Sequence, residues 1–327
     1  MILHEIDTPL TKLTRKIGKQ NAQRAWRRSF LAVHALAART RELGIRSEFI
    51  ARDSIYLSGN ILNATGLERE HDARLTAGLN ATYLSRGETA ARFGINRPSL
   101  VSYGSFEANP RELTAGYLKA AIARGVKLYA PTDIIKVEAG AHIVHAFTKD
   151  GATISCRHLV FATGYEVPLG VPARKYKIAS TYALATAPQP RRLWPERVLI
   201  WEASEPYLYL RTTHDGRVIV GGDDEEISDS KQRDALLPDK ISAIRRKMRK
   251  LLPQLNTKPE FQWTGFFGTT ETGLPLIGEV PGMKNCWAIL GYGGNGTTYI
   301  RIAAEIIRTK LTGGTDPDAD LYSFPDK

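Results

Sequence analysis

The sequence is poor in cysteine: Cys156 and Cys286 are the only two in 327 residues. Two cysteines cannot build a disulfide framework, which points to a reducing, cytoplasmic setting. Cys286 reads as a small core hydrophobe rather than a reactive thiol. No run of eighteen apolar residues occurs, which argues against a membrane-spanning helix. The seven histidines are scattered without metal-ligand spacing, so no metal site is expected. The opening MILHEIDTPL carries Glu5 and Asp7 and lacks the basic-then-apolar order of a secretory signal. Internal repeats and low-complexity tracts are absent as well.

What the chain has is apolar content, 43%, and length enough for a large core in two domains. It also has a net charge of +11. Two basic runs contribute: Arg24 with Arg27 and Arg28, and the stretch Arg245-Arg246-Lys247 with Arg249-Lys250. In the second, Ile241, Ile244, Met248 and Leu251 recur at helical spacing and mark a buried stripe, leaving the basic residues on a wet face. No aromatic residues interleave with this second run, so nucleic acid is not an expected partner.

The first part reads as helix, with Pro9 at a first helical position and a long helix over about Asn21 to Leu43, stopped by Gly44. SEFIARDSIYLSG reads as a strand. Asn109-Pro110 opens a helix that Gly125 ends, and VKLYA (126–130) reads as a strand directly after it. DIIKVEA, AHIVHAFT and ATISCRHLVFATG then form an antiparallel meander. Val167-Pro168 and Val171-Pro172 mark a domain crossing. Tyr176 to Gly268 is mostly β. Its clearest element is YLYLRTTHDGRVIVGG, a hairpin around Asp215-Gly216, and one helix of about Asp239 to Leu252 interrupts the section. GLPLIGEV, the strand CWAIL, a glycine loop and a helix of about Thr298 to Leu311 complete the pattern.

The glycine loop is GYGGNG, Gly291 to Gly296, with the G-x-G-x-x-G spacing of a dinucleotide fingerprint and an acidic residue, Asp316, further on. A dinucleotide unit needs a second parallel strand before that acid. Here the helix runs straight into LTGGTDPDADLYSFPDK, so Asp316 is a turn residue and the pyrophosphate reading fails. What survives is a turn permitting close backbone approach and a helix N-terminus with unpaired N–H groups at Asn295 to Thr297.

A larger pattern resembles the D-amino-acid oxidase/glycine oxidase family of FAD-dependent oxidoreductases. It rests on HLVFATGYE (158–166), YLYLRTTHDGRVIVGGDDE (207–225), GLPLIGEVPG (273–282), GYGGNGTTYIRIAAEII (291–307) and DPDADLYSF (316–324), with 109–138 in matching order. The resemblance implies a mixed α/β fold: a glutathione-reductase-type FAD-binding domain (1–45, 110–172 and 269–327) and an antiparallel-sheet substrate domain (46–109 and 173–268). It implies that Gly293, Gly294, Asn295, Gly296 and Thr297 lie over the flavin ring, that Ala162, Thr163 and Gly164 make a second FAD contact, and that Val137 lies on the adenine side. Donors at a helix start there would stabilise negative charge on the reduced ring.

The implied chemistry is oxidation of a small-molecule amine or amino-acid C–N bond, with hydride passing to flavin N5, hydrolysis of the imine and reoxidation by oxygen or another acceptor. Such chemistry needs positioning rather than a triad, and no catalytic residue is singled out. Alternation puts Tyr207, Tyr209 and Arg211 on one face of their strand. If that face lines the pocket, Arg211 holds an anionic group; otherwise it pairs with Asp223 or Asp224. Phe267 and Tyr292 are further wall candidates, with Trp201 and Trp263. Relatives acting on free amino acids typically carry an arginine just before the Asn-Gly pair, where this chain has Gly294, so a substituted amine is expected over glycine. The family's own fingerprint belongs in an N-terminal strand, glycine turn, helix and strand, whereas this chain opens at HEIDTPL. The FAD-binding domain is therefore expected to be incomplete, through an upstream start or a deletion. The alternative to an active enzyme is a remnant that cannot retain FAD.

Overall fold

A computed structural model describes residues 1–168, 170–171 and 176–325. In chain order the elements are α1 (Leu10–Ile17), α2 (Lys19–Glu42), β1 (Ile50–Leu57), α3 (Ala64–Thr76), β2 (Ala81–Leu84), α4 (Arg86–Phe93), β3 (Ser99–Glu107) and α5 (Pro110–Ile122). Next come β4 (Ile134–Ala139), β5 (Val144–Thr148), β6 (Thr153–Cys156), β7 (Leu159–Phe161), β8 (Tyr176–Thr186), β9 (Leu199–Glu202), β10 (Leu208–Thr212) and β11 (Val218–Glu225). Last are α6 (Ser230–Ala235), α7 (Leu237–Leu251), β12 (Pro259–Thr270), β13 (Leu276–Glu279), β14 (Cys286–Leu290) and α8 (Gly296–Leu311).

Helix α2 buries Ala22, Ala25, Trp26, Ser29, Ala32, Val33, Leu36 and Ala37, a stripe at three- and four-residue spacing. The alanines let α8 approach, and Ile302, Ala303 and Ile306 share a core with Trp26. Full burial of an aromatic the size of Trp26 stabilises by about 2–3 kcal/mol. Gly44 ends the helix with φ +62°. Its N–H reaches the Arg41 carbonyl at 2.9 Å and the Ile45 N–H reaches Thr40 at 3.1 Å, the paired bonds of a Schellman stop. Pro9 sits one place earlier than expected: its carbonyl accepts from Lys12 and Leu13, so Pro9 precedes α1 instead of occupying its first turn.

An eight-stranded sheet runs β12-β8-β11-β10-β9-β1-β3-β2. Its neighbours are antiparallel except β1 and β9, which pair in parallel from Ser54↔Leu199 to Leu57↔Glu202. Helix α7 covers one face through Ile241, Ile244, Met248 and Leu251, as the periodicity implied. Two three-stranded sheets complete the fold, β13-β14-β7 and β4-β5-β6.

Two further readings need correction. Residues 126–130 form no strand, and Val126, Leu128 and Tyr129 are more than half exposed. A β-patterned segment becomes a strand only when a neighbour takes its hydrogen bonds, and none does so among the described residues. The stretch 152–164 is two strands: β6 closes the meander against β5, and β7 leaves it to pair in parallel with β14. The basic run at Arg24 is largely neutralised, because Arg24 meets Asp318 (3.1 Å) and Asp320 (2.6 Å), and Arg28 meets Asp316 (2.8 Å) and Glu305 (2.9 Å). The crossing read at Val171-Pro172 runs into residues 172–175, outside the described residues. None of the described helices is long and apolar enough to cross a membrane.

Candidate functional site

Strand β14 is buried throughout and delivers the chain to the glycine loop. The turn requires φ of +70° at Gly291 and +51° at Gly293, where side chains are strained. A Cβ on Gly293 would lie 2.5 Å from Asp7 Oδ2. That contact reveals what the loop holds. The Gly294 N–H donates to Asp7 Oδ2 at 3.2 Å, and Asn295 Nδ2 donates to Asp7 Oδ1 at 2.8 Å and to the Glu5 carbonyl at 2.9 Å. Thr298 Oγ1 donates to the Leu3 carbonyl at 2.7 Å. Residues 3–7 are thus strapped to the start of α8. The expectation of unpaired N–H groups over Asn295 to Thr297 is corrected at its first member, since the Asn295 N–H donates to the Tyr292 carbonyl at 3.3 Å, while the Asp7 carboxylate takes the Gly294 N–H just before them.

The strap has its own anchor. Glu5, Glu70 and Arg74 are buried together, with Arg74 3.1 Å from Glu70 and 3.6 Å from Glu5. Ser54 donates to Glu5 at 2.8 Å, and the Arg74 guanidinium lies 4.6 Å over the Trp26 ring. Burial pushes the Glu5 carboxyl up, but His4, Arg74 and the hydroxyls of Ser54 and Ser102 outweigh it and hold the group below its ordinary value. Glu70 also accepts from the Leu10 and Thr11 amides at 2.8 and 2.9 Å, capping α1 from a distance.

A second loop closes on the first. After β7 the chain passes Ala162 and Thr163, both exposed, and turns at Gly164. Thr163 Oγ1 donates to the Glu166 carbonyl at 2.6 Å. The Tyr165 hydroxyl donates to the Gly293 carbonyl at 2.7 Å, and its ring packs 4.8 Å from Tyr292. The structure therefore brings 162–165 and 292–297 together. Tyr292 lies in that contact and does not line the neighbouring cavity. Gly296 is pressed by the Tyr292 ring, and Thr297 is half-buried beside it. Val137, on β4, packs against the cluster of Val144, Phe161 and Cys286.

Between the loops and the large sheet lies a cavity of about 270 Å³ lined by Asp7, Tyr165, Tyr207, Tyr209, Arg211, Phe267, Gly294 and Asn295. The alternation of β10 explains the convergence: Leu208, Leu210 and Thr212 point into the core, which turns Tyr209 and Arg211 to the opposite face with Tyr207 just before them. Arg211 forms no ion pair among the described residues; its Nη1 donates to the Thr212 carbonyl at 3.2 Å. Asp223 is instead held by Lys240 (3.2 Å) and Lys247. Burial pulls Arg211 below its ordinary value, yet a guanidinium stays cationic. Trp201 lines the cavity too, whereas Trp263 is on the outside.

Sequence reasoning missed Asp7, Tyr165 and the cavity-facing role of Asp224. Burial pushes both carboxyls from 3.8 up to about 6. Asp7 remains accessible from the cavity, so protein encloses it on the other sides only. The available signal for Asp7 was an acid two residues ahead of a helix-opening proline.

The chain matches the family described as FAD dependent oxidoreductase over residues 9–309, and it belongs to that family. Among solved structures it is similar to glycine oxidase from Geobacillus kaustophilus, with 17% identity and a TM-score of 0.76, covering 99% of this chain and 85% of that one. Iminodiacetate oxidase from Chelativorans sp. BNC1 gives 17% identity and a TM-score of 0.73 over 91% of this chain and 82% of that one. L-proline dehydrogenase from P. horikoshii gives 16% and 0.71, again over 91% and 82%. No curated protein matches the sequence. The fold is accordingly that of this family, a mixed α/β architecture with a large, mainly antiparallel sheet.

Proposed function

We propose that this protein oxidises the C–N bond of a small amine or amino acid with FAD, and that its substrate is a substituted amine in preference to glycine. The observation that carries the reading is one cavity faced at once by the glycine loop, through Gly294 and Asn295, and by Arg211, a half-buried cation without an acidic partner among the described residues. The ring-end residues fit a flat group approaching the backbone. Chain neighbours apart, a Cβ built on Gly164 would meet nothing closer than the Tyr292 hydroxyl at 3.9 Å, and one on Gly294 nothing closer than Asp7 at 4.0 Å. Among the described residues no strand, glycine turn, helix and parallel strand accompanies them to hold a diphosphate.

Bound FAD supplies the two-electron acceptor. The chain's residues do the rest. Gly293 to Thr297 and Ala162 to Gly164 would hold the ring end. Asn295 is fixed by Glu5 and Asp7. Arg211 would hold an anionic group of the substrate, and Tyr207, Tyr209 and Phe267 wall the cavity and exclude water. Gly294 offers no side chain to clamp a small carboxylate beside the loop.

The test is FAD titration of the purified protein followed by steady-state oxidation of a panel of amines and amino acids. A yellow protein that turns over N-substituted substrates best supports the reading. Glycine or a D-amino acid as best substrate overturns the substrate preference, and a colourless protein after FAD incubation overturns the cofactor reading in favour of a remnant.

A further inference from the structure

The 270 Å³ cavity adjoins a second chamber of about 470 Å³, and the two share Asp7, Trp201, Tyr207 and Phe267 as a common wall. Arg211 faces only the first chamber; Asp224 faces only the second. Asp224 Oδ1 is shut from solvent and has no hydrogen-bond partner among the described residues, while the Thr181 and Tyr207 hydroxyls bond the same carboxylate. The surroundings of the two carboxylates are aromatic: Tyr56 stacks on Trp201 with ring centroids 3.8 Å apart, and Tyr207 lies 6.2 Å from Tyr209. Carboxylates set among electron-rich ring faces are the environment that recognises an organic ammonium ion. Lys12 and Lys16 also line the second chamber, but Lys16 is turned to the Glu271 carbonyl; of its acids Glu202 is already held by Arg97.

The spacing of the two charges follows from the sheet. Asp223 N–H donates to the Tyr207 carbonyl at 3.0 Å, so Asp224 sits beside Tyr207, at one end of β10, while Arg211 is four residues along the same strand. Four residues of strand span about 13 Å. With their backbones that far apart and their side chains in different chambers, Arg211 and Asp224 favour a carboxylate and a cationic nitrogen several atoms apart over the one-carbon spacing of an α-amino acid.

We propose that Asp7 and Asp224 form an ammonium subsite and Arg211 a carboxylate subsite of one elongated cleft, so that the substrate is a two-headed amine: a carboxylate at one end and a cationic nitrogen several atoms away. This deepens the function proposed above and rests on it. Its test reads binding, which needs no bound flavin.

Binding of 6-aminohexanoate, hexanoate, hexylamine and glycine to the purified protein is measured by calorimetry. The expected result is 6-aminohexanoate binding at least about tenfold tighter than either single-headed probe, the contribution of one charge-assisted contact. Asp224→Asn should weaken 6-aminohexanoate and hexylamine about tenfold and leave hexanoate alone, while Arg211→Met does the reverse. Asp224→Glu should recover part of the ammonium binding, and far-ultraviolet circular dichroism shows that each variant is folded. Equal loss for all probes in both variants, glycine binding as tightly as 6-aminohexanoate, or no probe binding at all overturns the subsite assignment. Those outcomes leave the amine-oxidation reading standing, since FAD titration and turnover judge it separately.

Discussion

Asp224→Asn should stabilise the protein at neutral pH, because the wild-type carboxylate is ionised in a place that disfavours its charge. The folded protein raises this group from 3.8 to about 6, with burial as the largest cause. The folded chain therefore holds a proton that the unfolded chain releases between those values. Stability falls as pH rises through that window, and the full penalty stands above about pH 6. The rise corresponds to about 3 kcal/mol as an upper bound. Asparagine keeps a buried polar group with its own desolvation cost, which leaves an expected gain of about 1–2 kcal/mol. For a chain of this length that is about 2 °C in melting temperature. Thermal unfolding of both proteins at pH 8 and pH 4 checks it: the gain appears at pH 8 and shrinks towards zero at pH 4. An equal gain at both values, or a loss at pH 8, refutes the reasoning. The direction fits a functional residue held at some expense of stability.

The Gly293→Ala variant should lose about 1–3 kcal/mol, since it combines a positive φ with a Cβ 2.5 Å from Asp7 Oδ2; pairing it with Asp7→Ala should recover the steric part in a double-mutant cycle read by urea unfolding. Arg74→Met removes the cation from between Glu70 and Glu5 and leaves buried carboxylates uncompensated, so a cost of about 3–5 kcal/mol is expected in the same assay. Asn295→Ala frees the Glu5 carbonyl and Asp7; a loss of about 1–3 kcal/mol, together with faster proteolysis of residues 3–7, would show that the strap depends on this side chain.

Much of the architecture was legible because its signals are local. The stripe of α2, the basic-outside pattern of α7 and the hairpin of β10 and β11 are set by side-chain period, and Gly44 and Asn109 act within a turn of where they stand. The glycine loop could be read as a strand-to-helix turn, and among the described residues no strand follows α8, where Asp316 pairs with Arg28. Residues 126–130 show the limit of such reading. Their pattern is that of a strand, yet hydrogen-bond partners come from distant sequence. The same holds for β7, whose departure from the meander depends on Cys286 to Ala288 being alongside.

The candidate site divides along the same line. Sequence by itself placed Tyr207, Tyr209 and Arg211 on one face and supplied the flexible glycines, because both follow from backbone geometry. Only the tertiary structure decided that Arg211 has no acidic partner among the described residues, that Asp7, 287 residues from Gly294, holds that residue's N–H, and that Asp224 faces the adjoining chamber. Burial and charge pairing are properties of segments far apart in sequence, and no local pattern specifies them until the chain has closed on itself.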